Sequence, residues 1–438
     1  MSTTHETIAI LPRAAARAMP PGWPAALMIV IGLGLWGVSM LGLEPGNVLS
    51  QRFDLLTFHL PSAQRFAELA FLDALADYPA APFPLFYMLA GAVLALGGTV
   101  FTIQAASVGL GLVLLWLVHV QAHANRGFPR AASAALVAAV LVSPYFRGTT
   151  VYANTDPLSL VLLVAAFVLA DRPGGAARRG AALALACLAV WTRQFYLFLP
   201  AALFLREAFS GGVGRFLRLS AIALTMGLPV VALVLWWGGP TPPGFRQHIT
   251  SVGPATTVPV ILSVFGLHAL PLLAATLCFH RAELLATLRR PAFLAAAFVL
   301  LCLGAFVALG PLELAAVDGG GAVMIALARL GLPGFALSGA AALITVGVGC
   351  YGAYLVLQAP RANAILLVMV LAFVPTSIIY QRYFDPLLPI LFGCVLRTRE
   401  SESLARSWLI LLYPGLELAL TVTGQIHYGA MLAAASAR

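Results

Sequence analysis

Residues 101–120 read FTIQAASVGLGLVLLWLVHV and contain no aspartate, glutamate, lysine or arginine. A helix needs about 20 mostly apolar residues to cross the hydrocarbon core of a bilayer. In lipid its backbone groups must also be paired within the segment, which an α-helix achieves. This stretch is therefore predicted to be a transmembrane helix. Similar apolar runs recur along the chain at Ala25–Leu43, Ala221–Trp237, Phe293–Gly310, Ala336–Leu357 and Leu366–Tyr380.

The composition extends this prediction to the whole chain. Of 438 residues, 61% are hydrophobic and 9% are charged, whereas soluble domains carry about 25% charged residues. We therefore expect an all-α polytopic membrane protein, built as one membrane-embedded domain over residues 1–438. The spacing of the apolar runs predicts about 13 transmembrane helices.

The basic residues predict the orientation of the chain. The formal net charge is +9, and all 25 basic residues are arginine. If the N-terminus is cytoplasmic and the helices alternate, most arginines fall in cytoplasmic loops, as the positive-inside rule requires. The basic excess thus indicates a lipid bilayer environment and calls for no nucleic acid partner.

Residues 44–100 are predicted to form the first outer loop. Apolar and polar residues alternate at helical spacing over Arg52–Tyr78, which is typical of helices lying along a membrane surface. The arginine distribution also favours Phe83–Leu96 as an interfacial or shallow re-entrant helix, because a full span there would invert all later loops.

Four ionisable residues at the predicted outer level are flanked by apolar sequence: Asp54, Asp156, Arg193 and Arg382. Such residues are costly near lipid, so they indicate function. An arginine can bind a phosphate bidentately, and a carboxylate can accept the proton of an attacking hydroxyl. Together they suit sugar transfer from an anionic lipid carrier with inversion at the anomeric carbon.

Structural interpretations remain open for the same residues. Asp156 precedes Pro157 and could cap the next helix. Arg193 and Arg382 could extend towards lipid phosphates. His59 could be an interfacial side chain, and Asp73 and Asp77 could lie on solvated faces.

The sequence around Asp54 carries a family resemblance. The run 58–66, FHLPSAQRF, resembles the first luminal loop of the dolichyl-phosphate-glucose α-1,2-glucosyltransferases, which belong to the GT-C superfamily of membrane glycosyltransferases. Residues 77–87, DYPAAPFPLFY, resemble the Pro-rich stretch of that loop. Shorter resemblances follow at Thr155-Asp156, Arg193-Gln194 and Arg382-Tyr383.

The resemblance implies a GT-C-like helical bundle and a role for each matching residue. Asp54 would be the general base, and Arg193 and Arg382 would attend the carrier phosphate. No metal or other cofactor would be required. The expected donor is a polyprenyl-phosphate-linked sugar, and the acceptor is a glycan or glycolipid. The residues that would complete the substrate pocket are His59, Gln64, Arg65, Asp156, Gln194 and Tyr383.

The sequence departs from the family pattern in four places. Leu55 replaces a second acidic residue, one extra residue separates Asp54 from Phe58, Phe195-Tyr196 replaces Thr-Asn, and Arg382 lacks a following histidine. The lysine-free, arginine- and alanine-rich composition is typical of bacteria, which predicts the inner membrane, a periplasmic site and an undecaprenyl-type carrier. Two other functions stay open: a lipid-linked oligosaccharide flippase or transporter, and an O-antigen-type polymerase or ligase.

Overall fold

The computed structural model describes residues 22–43, 47–208, 212–248, 254–310, 322–330, 333–374 and 383–436. Within these ranges every regular element is helical. The long apolar segments form helices because the side chains can contact lipid or other helices while the backbone pairs with itself.

The first half of the described chain alternates long apolar helices with short ones. Between residues 47 and 68 the chain is one nearly continuous helix, interrupted by a π-helical turn at Leu55–His59. A second π-helical turn follows α6 at Val120–Asn125, and a short 3₁₀ turn at Gln194–Leu197 precedes α11. The α-helices are α1 (Trp23–Met40), α2 (Asn47–Asp54), α3 (Leu60–Glu68), α4 (Phe71–Ala76), α5 (Leu85–Ala95), α6 (Val100–His119), α7 (Arg130–Val142), α8 (Pro144–Val151), α9 (Asp156–Asp171), α10 (Ala176–Thr192) and α11 (Phe198–Ala208).

The second half contains longer helices and ends in a bent segment. Its α-helices are α12 (Val213–Trp237), α13 (Pro254–Phe279), α14 (Arg281–Thr287), α15 (Pro291–Leu309), α16 (Ala322–Arg329), α17 (Gly334–Gln358), α18 (Pro360–Phe373), α19 (Leu387–Ile390), α20 (Arg399–Ala405) and α21 (Leu412–Ser436). Turns of 3₁₀ helix lie at Pro243–His248 and Trp408–Leu411, and a π-helical turn at Leu391–Val395 continues α19.

Six of the described helices are long and apolar enough to cross a membrane, and up to eight spans result if two bent helix pairs are each counted as one. The chain is thus a polytopic membrane protein, but the predicted count of about 13 helices is not confirmed. The difference arises because several apolar helices are too short, such as α18 with 14 residues, or are broken. The six segments are Trp23–Met40, Val100–Asn125, Val213–Trp237, Ala255–Phe279, Pro291–Leu309 and Gly334–Gln358.

Helix α13 is the centre of the bundle. Two-thirds of its apolar window (67%) is buried, whereas the other five spans are between 11% and 33% buried. Helices that expose most of an apolar surface are suited to contact lipid. Helix α13 instead packs against α15, α17, α18, α20 and α21.

Helix α5 lies within Phe83–Leu96, the segment predicted to be interfacial or re-entrant, and is short. It has 11 residues, which corresponds to about 16 Å of helix and about half of the hydrocarbon thickness. It packs against α3.

Polar contacts join the loops that the arginine distribution assigned to one side of the membrane. The Asp171 carboxylate binds Arg206 at 2.9 Å and Arg397 at 3.0 Å. Arg126 donates a hydrogen bond of 2.7 Å to the carbonyl oxygen of Leu396. These contacts therefore join four segments that the sequence assigns to the cytoplasm, near residues 126, 171, 206 and 397.

Candidate functional site

Asp54 and His59 flank the π-helical turn at Leu55–His59. Asp54 ends α2, and the N–H of Leu60 bonds to the carbonyl oxygen of Leu55, five residues earlier. In a regular α-helix, residues five apart point about 140° away from each other, whereas an i→i+5 turn brings them closer to one face. Such turns are frequent at functional sites. The extra residue between Asp54 and Phe58 falls within this turn.

His59 is anchored by Tyr87 of α5. Its Nδ1 atom lies 2.8 Å from the Tyr87 hydroxyl, and the two rings are stacked with centroids 5.8 Å apart. His59 is 6% exposed and Tyr87 is fully buried. An interfacial role in which His59 faces lipid head groups does not fit this burial. Asp54 is half-buried, and its side chain also has partners of its own.

Tyr87 lies within electrostatic reach of both candidate charges. Burial raises the pKa of the Tyr87 phenol well above its usual range; Arg193 opposes the shift and Asp54 adds to it. The charges of Asp54 and Arg193 therefore act on the same buried hydroxyl, although they are far apart in the chain. That Asp54 and Arg193 belong to one catalytic site stays a prediction.

Asp156 and Arg193 form a buried ion pair between Asp156 Oδ1 and Arg193 Nη1. Asp156 is the first residue of α9 and Thr155 is its N-cap, so the side chain of Asp156 binds Arg193 and does not cap the helix. Its negative charge also lies at the positive end of the α9 dipole. Within the described residues no donor reaches Asp156 Oδ2, which leaves one carboxylate oxygen for a further partner.

Arg193 ends α10 in an extended conformation (φ −148°, ψ 124°) and is 5% exposed. Its guanidinium carbon lies 4.7 Å from the centroid of the Tyr383 ring and 5.7 Å from that of Phe195. The side chain is thus held in the protein interior by an ion pair and aromatic faces. It does not extend along the surface towards lipid phosphates.

Polar bonds fix the surrounding loops. Gln194 donates to the carbonyl oxygen of Ala81 in the Pro-rich stretch at 3.0 Å. Asn154 donates to Gln51 Oε1 at 2.8 Å, which joins α2 to the turn before Asp156. The Asp77 carboxylate accepts a hydrogen bond of 2.6 Å from the backbone N–H of Gly244. Asp77 therefore links the end of α4 to the 3₁₀ turn that contains Gly244. Asp73 is exposed, as expected for a solvated face.

The remaining predicted residues are less closely connected. Gln64 is exposed and Arg65 is half-buried on α3, and no hydrogen bond or ion pair in the described part of the chain joins either to Asp54 or Arg193. Tyr383 joins the site through Arg193. Arg382 lies outside the described residues.

Two functional candidates, one residue and one cluster, were not identified from the sequence. Tyr87 lies in the Pro-rich stretch, but an aromatic residue there gives no signal of its contacts with His59. A buried cluster of His268, Asp385 and Glu417 was also missed. His268 and Glu417 are isolated ionisable residues in apolar helices, and that isolation is the signal that could have found them.

Comparison of the chain with protein-family models, with curated proteins and with solved structures gave no match.

Proposed function

We propose that the protein is a membrane glycosyltransferase that uses a polyprenyl-phosphate-linked sugar, with Asp54 as general base. One observation carries the proposal: the buried Tyr87 hydroxyl, which contacts His59, lies within electrostatic reach of both Asp54 and Arg193, and Arg193 is paired with Asp156. A carboxylate and a guanidinium at one site are what hydroxyl activation and phosphate departure require.

The proposed reaction is a single displacement. The Asp54 carboxylate accepts the proton of the acceptor hydroxyl as its oxygen forms a bond to the anomeric carbon. The bond from that carbon to the phosphate oxygen breaks, and the polyprenyl phosphate leaves with the electron pair. Phosphate is a weak base, so it needs charge stabilisation more than a proton. We assign this charge stabilisation to Arg193, and Arg382 remains a predicted second cation.

The roles of the other residues follow from their contacts. The contact between His59 and Tyr87 holds the π-helical turn that follows Asp54 against α5. Gln194 binds the Pro-rich stretch, which keeps that segment beside Arg193. Gln64 and Arg65 lie further along α3, where they would meet the acceptor. The site faces the periplasm in this proposal, in a bacterial inner membrane.

A transporter of lipid-linked oligosaccharides is the second candidate, and one observation favours it. Helices α7 and α8 form a span bent by 63° at Ser143, close to the buried His268, Asp385 and Glu417 side chains. Broken helices and ionisable groups inside the bundle are typical of transporters. The other bent pair begins with the short charged helix α20, so it does not provide a matching broken span.

The test measures sugar transfer by purified protein in lipid vesicles, with a panel of radiolabelled polyprenyl-phosphate sugars. We expect turnover with one donor and a loss of about a hundredfold or more in Asp54→Asn, within the range for removal of a general base. Asp73→Asn is the matched control, because Asp73 is an exposed carboxylate of the same outer loop. Equal activity of both variants would contradict the base assignment. Donor movement across the vesicle without any transfer would support the transporter.

A further inference from the structure

Three ionisable side chains from distant parts of the chain meet inside the bundle. His268 lies near the middle of α13, Asp385 lies just before α19, and Glu417 lies in α21. One potential ligand atom from each lies within 4.8 Å of those of the other two. The exposed fractions are 0%, 1% and 0%, respectively, so bulk solvent does not reach them.

Each of the three presents an atom without a hydrogen-bond donor or acceptor to pair with. Within the described part of the chain, His268 Nε2, Asp385 Oδ2 and both Glu417 carboxylate oxygens have no such partner. Ionised carboxylates can only accept hydrogen bonds. Unpaired polar atoms buried at this depth are rare, and each requires an explanation such as an ion.

The remaining atoms of two of these side chains are held as metal ligands usually are. His268 Nδ1 lies 2.9 Å from the carbonyl oxygen of Val264, so Nδ1 carries the proton and the Nε2 lone pair faces the cluster. Asp385 Oδ1 accepts a hydrogen bond of 2.6 Å from Ser143 Oγ, which leaves Oδ2 facing the cluster. Such outer hydrogen bonds fix the tautomer and the orientation of ligating side chains.

The separation between His268 and Glu417 suits two ligands of one ion. His268 Nε2 lies 3.3 Å from Glu417 Oε1, but the two atoms do not have hydrogen-bond geometry. A proton shared between them would need a shorter and more linear arrangement. Two ligands about 2.1 Å from one tetrahedral ion lie about 3.4 Å apart.

We propose that His268, Asp385 and Glu417 form a binding site for one divalent transition-metal ion, of the class of Zn²⁺ or Mn²⁺. One imidazole and two carboxylates suit these ions. The ion joins α13, α19 and α21 beside the break between α7 and α8. Its role is structural and does not depend on the proposed transfer reaction. It also differs from the expectation, drawn from the family resemblance, that the protein needs no metal.

The test is metal analysis of the purified full-length protein. Separate samples are incubated with ZnCl₂ or MnCl₂, desalted, and measured by mass spectrometry of the elements. We expect about one ion per wild-type chain, and an affinity lower by about tenfold or more in Ser143→Ala, which removes the outer hydrogen bond to Asp385 together with the N-cap bond that Ser143 Oγ accepts from Phe146 N–H. Glu417→Gln and His268→Asn should abolish retention. His280→Asn is the matched control, since His280 is a buried histidine bound to Ser403 away from the cluster.

Thermal unfolding gives a second readout that needs no variant. A chelator should lower the melting temperature of the wild-type protein, and the same metal salt should restore it. The proposal is overturned if neither ion is retained by the wild-type protein and its melting temperature is insensitive to both chelator and metal. It is equally overturned if Glu417→Gln, His268→Asn and the wild type retain the same amount, because the ion would then bind elsewhere.

Discussion

Arg193 and Asp156 form an ion pair in which both side chains are almost completely buried. Removal of one partner from such a pair leaves an uncompensated charge, at a cost of about 3–5 kcal/mol. We therefore expect Arg193→Met to lower the free energy of unfolding by about this amount in a detergent-based unfolding assay. The double variant Arg193→Met, Asp156→Asn should lose less than the sum of the single changes. Additive effects would contradict the pairing.

Tyr87 and Tyr413 provide a matched pair of tyrosine-to-phenylalanine changes. Tyr87→Phe removes the hydroxyl that bonds His59, and we expect a loss of about 1–2 kcal/mol in stability. Tyr413 is also fully buried, but its hydroxyl has no hydrogen-bond partner in the described ranges. Tyr413→Phe should therefore leave the melting temperature unchanged or raise it. Equal losses in both variants would show that the His59–Tyr87 bond does not contribute.

The sequence predicted the helical membrane class well because the apolar runs are determined locally. Residues 101–120, for example, lie within the span Val100–Asn125. The predicted count of about 13 spans is not confirmed, because hydropathy alone does not distinguish a full crossing from a break. The apolar stretch from Ala131 to Val142 ends at Ser143-Pro144, and there the chain bends by 63°.

The candidate site was partly predictable for a similar reason. Asp156 and Arg193 each interrupt apolar sequence. Because a buried charge is costly, both were predicted to be functional residues. Their pairing depends on how α9 and α10 pack, which sequence spacing does not determine. The contact between Arg193 and Tyr383 joins residues 190 positions apart in the chain, so only the tertiary fold could reveal it.

Gly91 allows α5 to pack closely against α3. A Cβ atom at this position would lie 2.7 Å from Phe66 Cβ and 2.8 Å from the carbonyl oxygen of Ala63. Since a backbone atom cannot move aside easily, we expect Gly91→Ala to cost about 1–3 kcal/mol of stability. The displacement of α3 should also lower transfer activity, because α3 continues directly from the turn that carries His59.

Gly109→Ala is the control for the Gly91 prediction. Gly109 lies inside α6, and a Cβ atom there would meet nothing within 4 Å. Alanine favours the helix over glycine by about 1 kcal/mol, so this variant should be as stable as the wild type or more so. Unfolding temperatures of the two variants measured side by side provide the check. An unchanged Gly91→Ala melting temperature would show that α3 and α5 separate without cost.

Asp171 at the end of α9 should make stability depend on acidic pH. Burial raises the pKa of this carboxyl, but the charges of Arg397 and Arg206 and a hydrogen bond from Gln121 outweigh burial and bring the pKa below its usual value. A carboxyl with a lower pKa in the folded state stabilises the fold at pH values above its unfolded pKa, about 3.9. That contribution is lost as pH falls through the folded-state pKa.

The melting temperature of the wild type should therefore fall steeply below about pH 4. Asp171→Asn should be less stable at neutral pH, because it loses its attraction to the two arginines, and its melting temperature should change less between neutral and acidic pH. Glu68→Gln is the control, since Glu68 is an exposed carboxylate at the end of α3. If Asp171→Asn and the wild type lose stability in parallel across this range, the acid sensitivity comes from other carboxylates and the Asp171 cluster does not determine it.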